Sequence, residues 1–333
     1  MKYIFFILLF TACKNEQNDF IKTEITPTKI DSLNSKEDVE KFVRELEYPL
    51  LKIRNNQDSI IYRRVLGKFE LKKIIEFDRD SITTIIADSL GITNSFYKAD
   101  IDNNGYNDLV IIGDDYSVYS LMNFGNDSIN PINLIFSRKH NSIVPRIINK
   151  KEGALLEIHE PRKYHWKEKR KVSENKKYSL TYLFDNFIEF NNNVKKYDIE
   201  KIEYSALGCE GECPIYDLSI DKNKIGKLDA KHYNSTDPNL FEMEISNELK
   251  GQFESVISET EFNKLINLLN YLDFPNLNDE YPSETLHTPF CSLKITYNNG
   301  KVKTINDSGM IGSYGLKRMY ELLSDLRFNQ EWN

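Results

Sequence analysis

The chain has 333 residues, a formal net charge of −7, 40% apolar and 12% aromatic side chains. An acidic balance argues against a dedicated nucleic-acid binder, which carries a basic excess, and the apolar content is that of a chain with a packed core rather than a disordered one. The length suggests about two domains, and no run reaches the roughly 20 apolar residues of a transmembrane helix.

The first thirteen residues, MKYIFFILLFTAC, set Lys2 before an apolar run from Tyr3 to Phe10, and small Thr11 and Ala12 before Cys13. The run has the roughly 7–15-residue length of a signal-peptide core. The order resembles the lipobox of bacterial lipoproteins, with Phe10 where that family usually has Leu. The resemblance implies cleavage after residue 12, a diacylglyceryl group on Cys13, and a membrane-anchored chain in the cell envelope, on its periplasmic or outer face. The plainer reading is an ordinary signal peptide with an incidental cysteine. Residues 13–35 are polar and charged, and they read as a flexible tether.

Residues 36–192 read as a β-rich module. It begins with a helix from Lys36, capped by Ser35 with Asp38 in the first turn; Val39, Phe42, Val43 and Leu46 repeat at helical spacing, and Pro49 ends the pattern. From about 67 to 192 the chain reads as an all-β meander, a sandwich or a fragment of propeller-like sheet. Its strands are FELKKIIEF, SFYKADI, DLVIIG, YSVYSLMNF, NPINLIFS, ALLEIHE and YSLTYLFDNFIEF, separated by Asn/Asp/Gly/Ser clusters. Residues 191–198 form a seam. The segment 199–333 then reads as a small α+β module: strands KIEYSAL, PIYDLSI and KIGKLDAKHY, a helix EFNKLINLLNYL with Ser258 before it, a hairpin of FCSLKITY and KVKTIND joined at Asn298-Asn299-Gly300, and a last helix YGLKRMYELLSDL. The fold class is α+β.

The sharpest chemistry lies in Asp100-Ile101-Asp102-Asn103-Asn104-Gly105-Tyr106-Asn107-Asp108. Side-chain oxygens fall at loop positions 1, 3, 5 and 9 (Asp100, Asp102, Asn104, Asp108), Tyr106 at position 7 offers its carbonyl, and Gly105 allows the sharp turn between them. Such a set suits Ca²⁺, which takes six to eight oxygen ligands. An EF-hand would place a bidentate Glu at position 12, where this chain has Ile111, and would flank the loop with helices. The DxDxNGxxD pattern between SFYKAD and DLVII resembles the calcium loops of FG-GAP and integrin-like propeller repeats over about residues 95–112, although it occurs here once where those families repeat it. A metal-free Asp/Asn/Gly turn closed by its own hydrogen bonds is the alternative.

Three cysteines follow Cys13. Cys209 and Cys213 lie four apart in the glycine-rich string Leu207-Gly208-Cys209-Glu210-Gly211-Glu212-Cys213-Pro214, and their spacing allows a small disulfide if the backbone turns tightly. One of them could instead pair with Cys291, or both could remain reduced; a zinc set of Cys209, Cys213, His287 and Cys291 is a further arrangement. The string G-C-x-G-x-C-P-x-Y-x-L-x-I, followed by strand, helix, hairpin and helix, resembles a bacterial domain family of unknown function, DUF6438, over about 199–333, which implies a module boundary and no activity.

The segment 162–177 carries eight Lys or Arg against two Glu; it is a candidate surface for anionic lipid or polysaccharide and, more plainly, a solvated loop. His159-Glu160 and His165 read as structural, and Asp114-Asp115 as a turn. No established catalytic string is present. The reading that follows is a cell-envelope lipoprotein that binds an unidentified envelope protein or ligand without catalysis and carries a structural Ca²⁺ loop. The alternative is an envelope enzyme, such as a hydrolase, with its site between the modules.

Overall fold

The computed structural model describes residues 24–46, 51–54, 60–63, 66–77, 81–114, 116–135, 143–150, 153–161, 164–165, 170–171, 174–210, 213–234, 240–241, 248–283, 288–310 and 312–333. The expected signal peptide, Cys13, Asp115, His287 and much of the basic run lie outside them.

The first described stretch departs from the expected tether. The turn α1 (Lys29–Ser32) opens on a capping box between Thr28 and Asp31. Helix α2 (Lys36–Glu45) opens on a second, in which Asp38 N–H donates to Ser35 Oγ and Ser35 N–H donates to the Asp38 carboxylate, both at 3.1 Å. Ile30 and Leu33 are buried in one cluster with Val39, Phe42 and Val43. The segment is polar on average, yet its few apolar residues fall where α2 and a sheet can cover them, and each full burial contributes roughly 1.5–3 kcal/mol. Residues 24–46 are therefore an arm packed on the body.

Two short antiparallel strands follow, β1 (Leu51–Arg54) and β2 (Ile60–Arg63). The segment FELKKIIEF, expected as a strand, instead makes one bridge from Leu71 to Gly113 and a 3₁₀ turn over Ile74–Glu76. The next segment, SITTIIADS, is helix α3 (Ser81–Ser89), which the all-β reading did not contain. Its isoleucines and threonines favour strands in isolation, but Thr83 and Ala87, one turn apart, are both buried, and packing overrides a propensity worth only about 1 kcal/mol over its whole range.

Strands β3 (Phe96–Ala99), β4 (Asp108–Ile112), β5 (Val118–Asn123) and β6 (Ile129–Asn133) form an antiparallel meander in that order. Every residue of β4 is buried. Leu109, Ile111 and Leu121 pack with the arm; Val110, Ile112, Val118 and Met122 pack on the opposite side. That second core is shared with another four-stranded sheet. It runs β12-β11-β8-β7 and is built from β7 (Val144–Lys150), β8 (Gly153–Glu160), β11 (Lys176–Leu183) and β12 (Asn186–Glu189). Between β8 and β11 lies the two-residue pair β9 (Tyr164–His165) and β10 (Arg170–Lys171).

The C-terminal part is a seven-stranded sheet under two helices. Its strands are β13 (Ile199–Leu207), β14 (Ile215–Asp221), β15 (Ile225–His232), β17 (Gly251–Val256), β18 (Glu280–Tyr281), β19 (Phe290–Tyr297) and β20 (Lys301–Ser308), in the order β17-β15-β14-β13-β19-β20-β18. A further short strand, β16 (Leu240–Phe241), pairs in parallel with β1, so the two parts are not strictly sequential. Strands alternate as a half-buried sheet should: Ile202, Tyr204 and Ala206 face the helices, while Lys201, Glu203 and Lys294 form ion pairs on the open face. The hairpin turn sits where expected, with Asn298, Asn299 and Gly300 at φ 44°, 64° and 81°, the left-handed region these residues tolerate. Helices α4 (Glu259–Leu272) and α5 (Tyr314–Asn329) cover the inner face with Leu265, Leu268, Leu269, Leu316, Met319, Leu323 and Leu326.

The β12 strand joins the two parts. The Glu189 carboxylate accepts the first free amides of α5, Tyr314 N–H at 2.7 Å and Gly315 N–H at 2.9 Å, and so caps a helix of the other module. Arg318 Nε donates to Phe184 O at 2.6 Å, Asn191 Nδ2 donates to Tyr271 O at 2.6 Å, and the Tyr178 and Tyr314 rings meet edge to face. Glu189→Ala is expected to destabilise the protein by about 1–2 kcal/mol, the cost of losing a charged helix cap. Urea unfolding checks it; an unchanged midpoint would show that the cap does not hold the two parts together.

Candidate metal centre

The loop between β3 and β4 is built by side chains that close on their own backbone. Asp100 accepts from Asn104 N–H and Gly105 N–H, each at 3.0 Å, and Asn104 Oδ1 accepts from Tyr106 N–H at 2.8 Å. Gly105 at φ 88° makes the sharp turn, a conformation a side chain would disfavour. Asn103 at φ 60° lies against Gly153, where a Cβ would come within 2.1 Å of Asn103 Nδ2. The Tyr106 ring rests on Gly125 in the same way, 2.6 Å from where a Cβ would stand. The two bare glycines seat the loop on its neighbours.

Asp100, Asp102 and Asp108 bring carboxylate oxygens within 4.8 Å of one another. Oxygens bound to one Ca²⁺ at about 2.3–2.6 Å can lie no more than about 5 Å apart, so this spacing fits a shared cation. Asp108 is fully buried, and its two oxygens accept from Ile101 N–H at 2.7 Å and Asn123 N–H at 2.8 Å. Each carboxylate oxygen has a second lone pair, so these bonds leave coordination capacity. Asn104 Nδ2 donates to Asp102 Oδ2 at 3.1 Å and to Asn123 O at 2.7 Å. The five positions singled out in the sequence thus belong to one loop: Asp100, Asp102 and Asp108 converge, Asn104 bonds Asp102, and Tyr106 stands between Asn104 and Asp108.

Electrostatics give this cluster its character. Burial pushes the Asp102 carboxyl up to about 6, with the Asp100 charge adding to it. Burial likewise raises Asp108 to about 8, against the opposing pull of the Asn123 and Ile101 amides and with the Asp102 and Asp100 charges adding. A divalent cation among the three would supply the missing counter-charge.

The other candidate residues serve structure. Cys209 and Cys213 are joined as a disulfide with Cα atoms 5.5 Å apart, which removes the zinc set that used both thiols. Cys291 is buried on the helix-facing side of β19, and burial pushes its thiol up to about 12, so it is no nucleophile near neutral pH. His159 is not a lone histidine: its Nε2 lies 2.7 Å from Glu157 Oε1, and Lys177 Nζ lies 3.1 Å from Glu157 Oε2. The alternation in ALLEIHE sets Glu157 and His159 on one face of β8, a signal the sequence reading passed over. Asp114 donates its N–H to Glu70 O at 2.9 Å in a turn.

Residues 200–327 match the family model described as a domain of unknown function, DUF6438. The match begins in β13, takes in the disulfide loop, and ends within α5, so it covers the seven-stranded sheet with both its helices and leaves out the metal-type loop. No curated protein and no solved structure matches the chain.

The raised carboxyls set a pH dependence for the protein without metal. Between about pH 4 and 8 the folded state keeps protons on Asp102 and Asp108 that the unfolded chain has released, so folding takes up protons and stability falls as pH rises. In EDTA the unfolding midpoint is expected to drop across this window, with a shallower slope between about pH 4 and 6 in Asp102→Asn. Equal slopes in the two proteins would count against a strained carboxyl at Asp102.

Proposed function

We propose that this chain is a lipid-anchored protein of the cell envelope, held to a membrane through Cys13, whose folded body binds an envelope protein or ligand without catalysis and is stiffened by one Ca²⁺. The observation that carries the calcium part is the convergence of three carboxylates within 4.8 Å in a loop whose acids are costly to ionise together. Asp100, Asp102, Asn104, the Tyr106 carbonyl and Asp108 would hold the ion. Its role is structural: it neutralises the cluster and fixes the loop between β3 and β4. The seam between the two parts supports a scaffold over an enzyme, because Glu189, Tyr178, Tyr271 and Tyr314 fill it. The anchor reading rests on the MKYIFFILLFTAC leader alone.

Thermal unfolding tests the ion. Added Ca²⁺ is expected to raise the midpoint relative to EDTA by mass action, by an amount equivalent to ~2.7 kcal/mol at a hundredfold excess over Kd, and Asp102→Ala should abolish the rise. No shift at millimolar Ca²⁺ would refute it. For the anchor, cells fed labelled fatty acid should incorporate label into the chain but not into Cys13→Ser, which should also leave the membrane fraction; label retained by the variant would rule out Cys13 as the site.

A further inference from the structure

The loop is also the place where the N-terminal arm is fastened to the body. Thr26 N–H donates to Gly105 O at 2.8 Å. Asn107 Nδ2 donates to Asp31 Oδ1 at 2.7 Å. Asn123 Nδ2 donates to Thr28 Oγ1 and to Asn107 O, each at 3.0 Å, while its own N–H is held by Asp108. Each of these anchors stands beside a proposed ligand in the chain or is bonded to one: Gly105 between Asn104 and Tyr106, Asn107 between Tyr106 and Asp108, Asn123 on the Asp108 carboxylate. The peptide that presents Gly105 O to the arm carries the Tyr106 N–H that donates to Asn104 Oδ1, so an arm bond and a proposed ligand meet on one peptide unit.

We propose that the Asp100–Asp108 loop is a calcium-dependent clasp for the first part of the arm, residues 24–33: cation binding docks this stretch, and cation loss releases it. The proposal rests on the calcium reading above. With the cation in place the loop has one conformation and all three anchors face the arm. Without it, nothing bridges the oxygens that stand within 4.8 Å, the loop is closed only by its own hydrogen bonds, and the anchors lose their common orientation. That stretch is then held by Ile30, Leu33 and the Lys98 Nζ bond to Asp31 O at 3.0 Å, while α2 keeps its own bonds, Leu71 N–H to Glu40 Oε1 and Arg44 Nε to Phe69 O, each at 2.8 Å. Docking has a second consequence. A groove of about 610 Å³ lies between the arm and the loop, with Thr28, Lys29 and Phe42 on one wall and Tyr106, Asn123 and Asp127 on the other. Arm release dismantles that groove, so anything that binds there becomes calcium-dependent. Coupling is reciprocal: a docked arm raises calcium affinity by the factor by which calcium favours docking.

The test pairs two measurements on the full chain in detergent. Calorimetry reads calcium binding, and hydrogen–deuterium exchange reads the arm. The expected result is that Ca²⁺ slows exchange across residues 26–33 by about 10-fold or more relative to EDTA, while amides in α4 and α5 are unchanged. Asn107→Ala, which removes an anchor and no proposed ligand, should still bind Ca²⁺, with affinity lowered by the same factor as the arm's protection. Calcium heat with identical arm exchange in Ca²⁺ and EDTA would overturn the clasp and leave the structural ion standing. The absence of calcium heat would overturn both.

Discussion

Strand β4 is buried on both faces, and the N-terminal half of the molecule is arranged around that fact. Val110 and Ile112 look into the core shared by the two four-stranded sheets, and Leu109 and Ile111 look the other way. A central strand with two apolar faces needs a layer on each. One layer comes from the β7-β8-β11-β12 sheet and α3. The other comes from the arm, which lays Ile30, Leu33, Val39, Phe42 and Val43 over the outward side. The same strand begins at Asp108, whose buried carboxylate holds amides of Ile101 and Asn123. Hydrophobic burial and the acidic loop are therefore consecutive in the chain, and the loop inherits a low-polarity setting from the strand it precedes.

That setting explains why three acids in one turn are more than a solvated turn. On an open surface, water would screen them and each would ionise near its ordinary range. Here burial raises Asp102 and Asp108, and the charges add to one another. A fold that keeps such a cluster has two ways to relieve it, protons or a cation, and the oxygens stand at a spacing a cation can bridge. The arm bonds to the same turn, which makes the charge state of the loop a matter for the whole N-terminal layer.

The second joint is quieter. Glu189 lies at the end of β12 and caps α5, the last helix of the chain. A helix N-terminus carries unpaired amides and a partial positive charge, and a carboxylate delivered from a different module satisfies both. The DUF6438 match starts at residue 200, just beyond this strand. The matched domain is thus docked through the end of its own terminal helix, with Tyr271, Tyr314 and Arg318 bonding backbone groups on the other side.

What the sequence by itself determined are the features whose causes lie within a few residues. The capping box of Ser35 and Asp38, the hairpin turn at Asn298-Asn299-Gly300, the apolar stripes of α4 and α5 and the alternating strands of the seven-stranded sheet are all local chemistry, and the structure places each where that chemistry calls for it. The Cys209–Cys213 pairing was open until the backbone brought their Cα atoms to 5.5 Å. Only the tertiary structure decided the rest. SITTIIADS is a helix because Thr83 and Ala87 must face a core made by distant strands. Residues 24–35 are an arm because two apolar side chains in a polar stretch find the uncovered face of β4, about 80 residues onward. Glu189 is a helix cap, and Lys177 a partner of Glu157, because sheet register and long-range packing put their partners within reach. Composition and periodicity report averages over a window, whereas burial is settled residue by residue by what lands opposite.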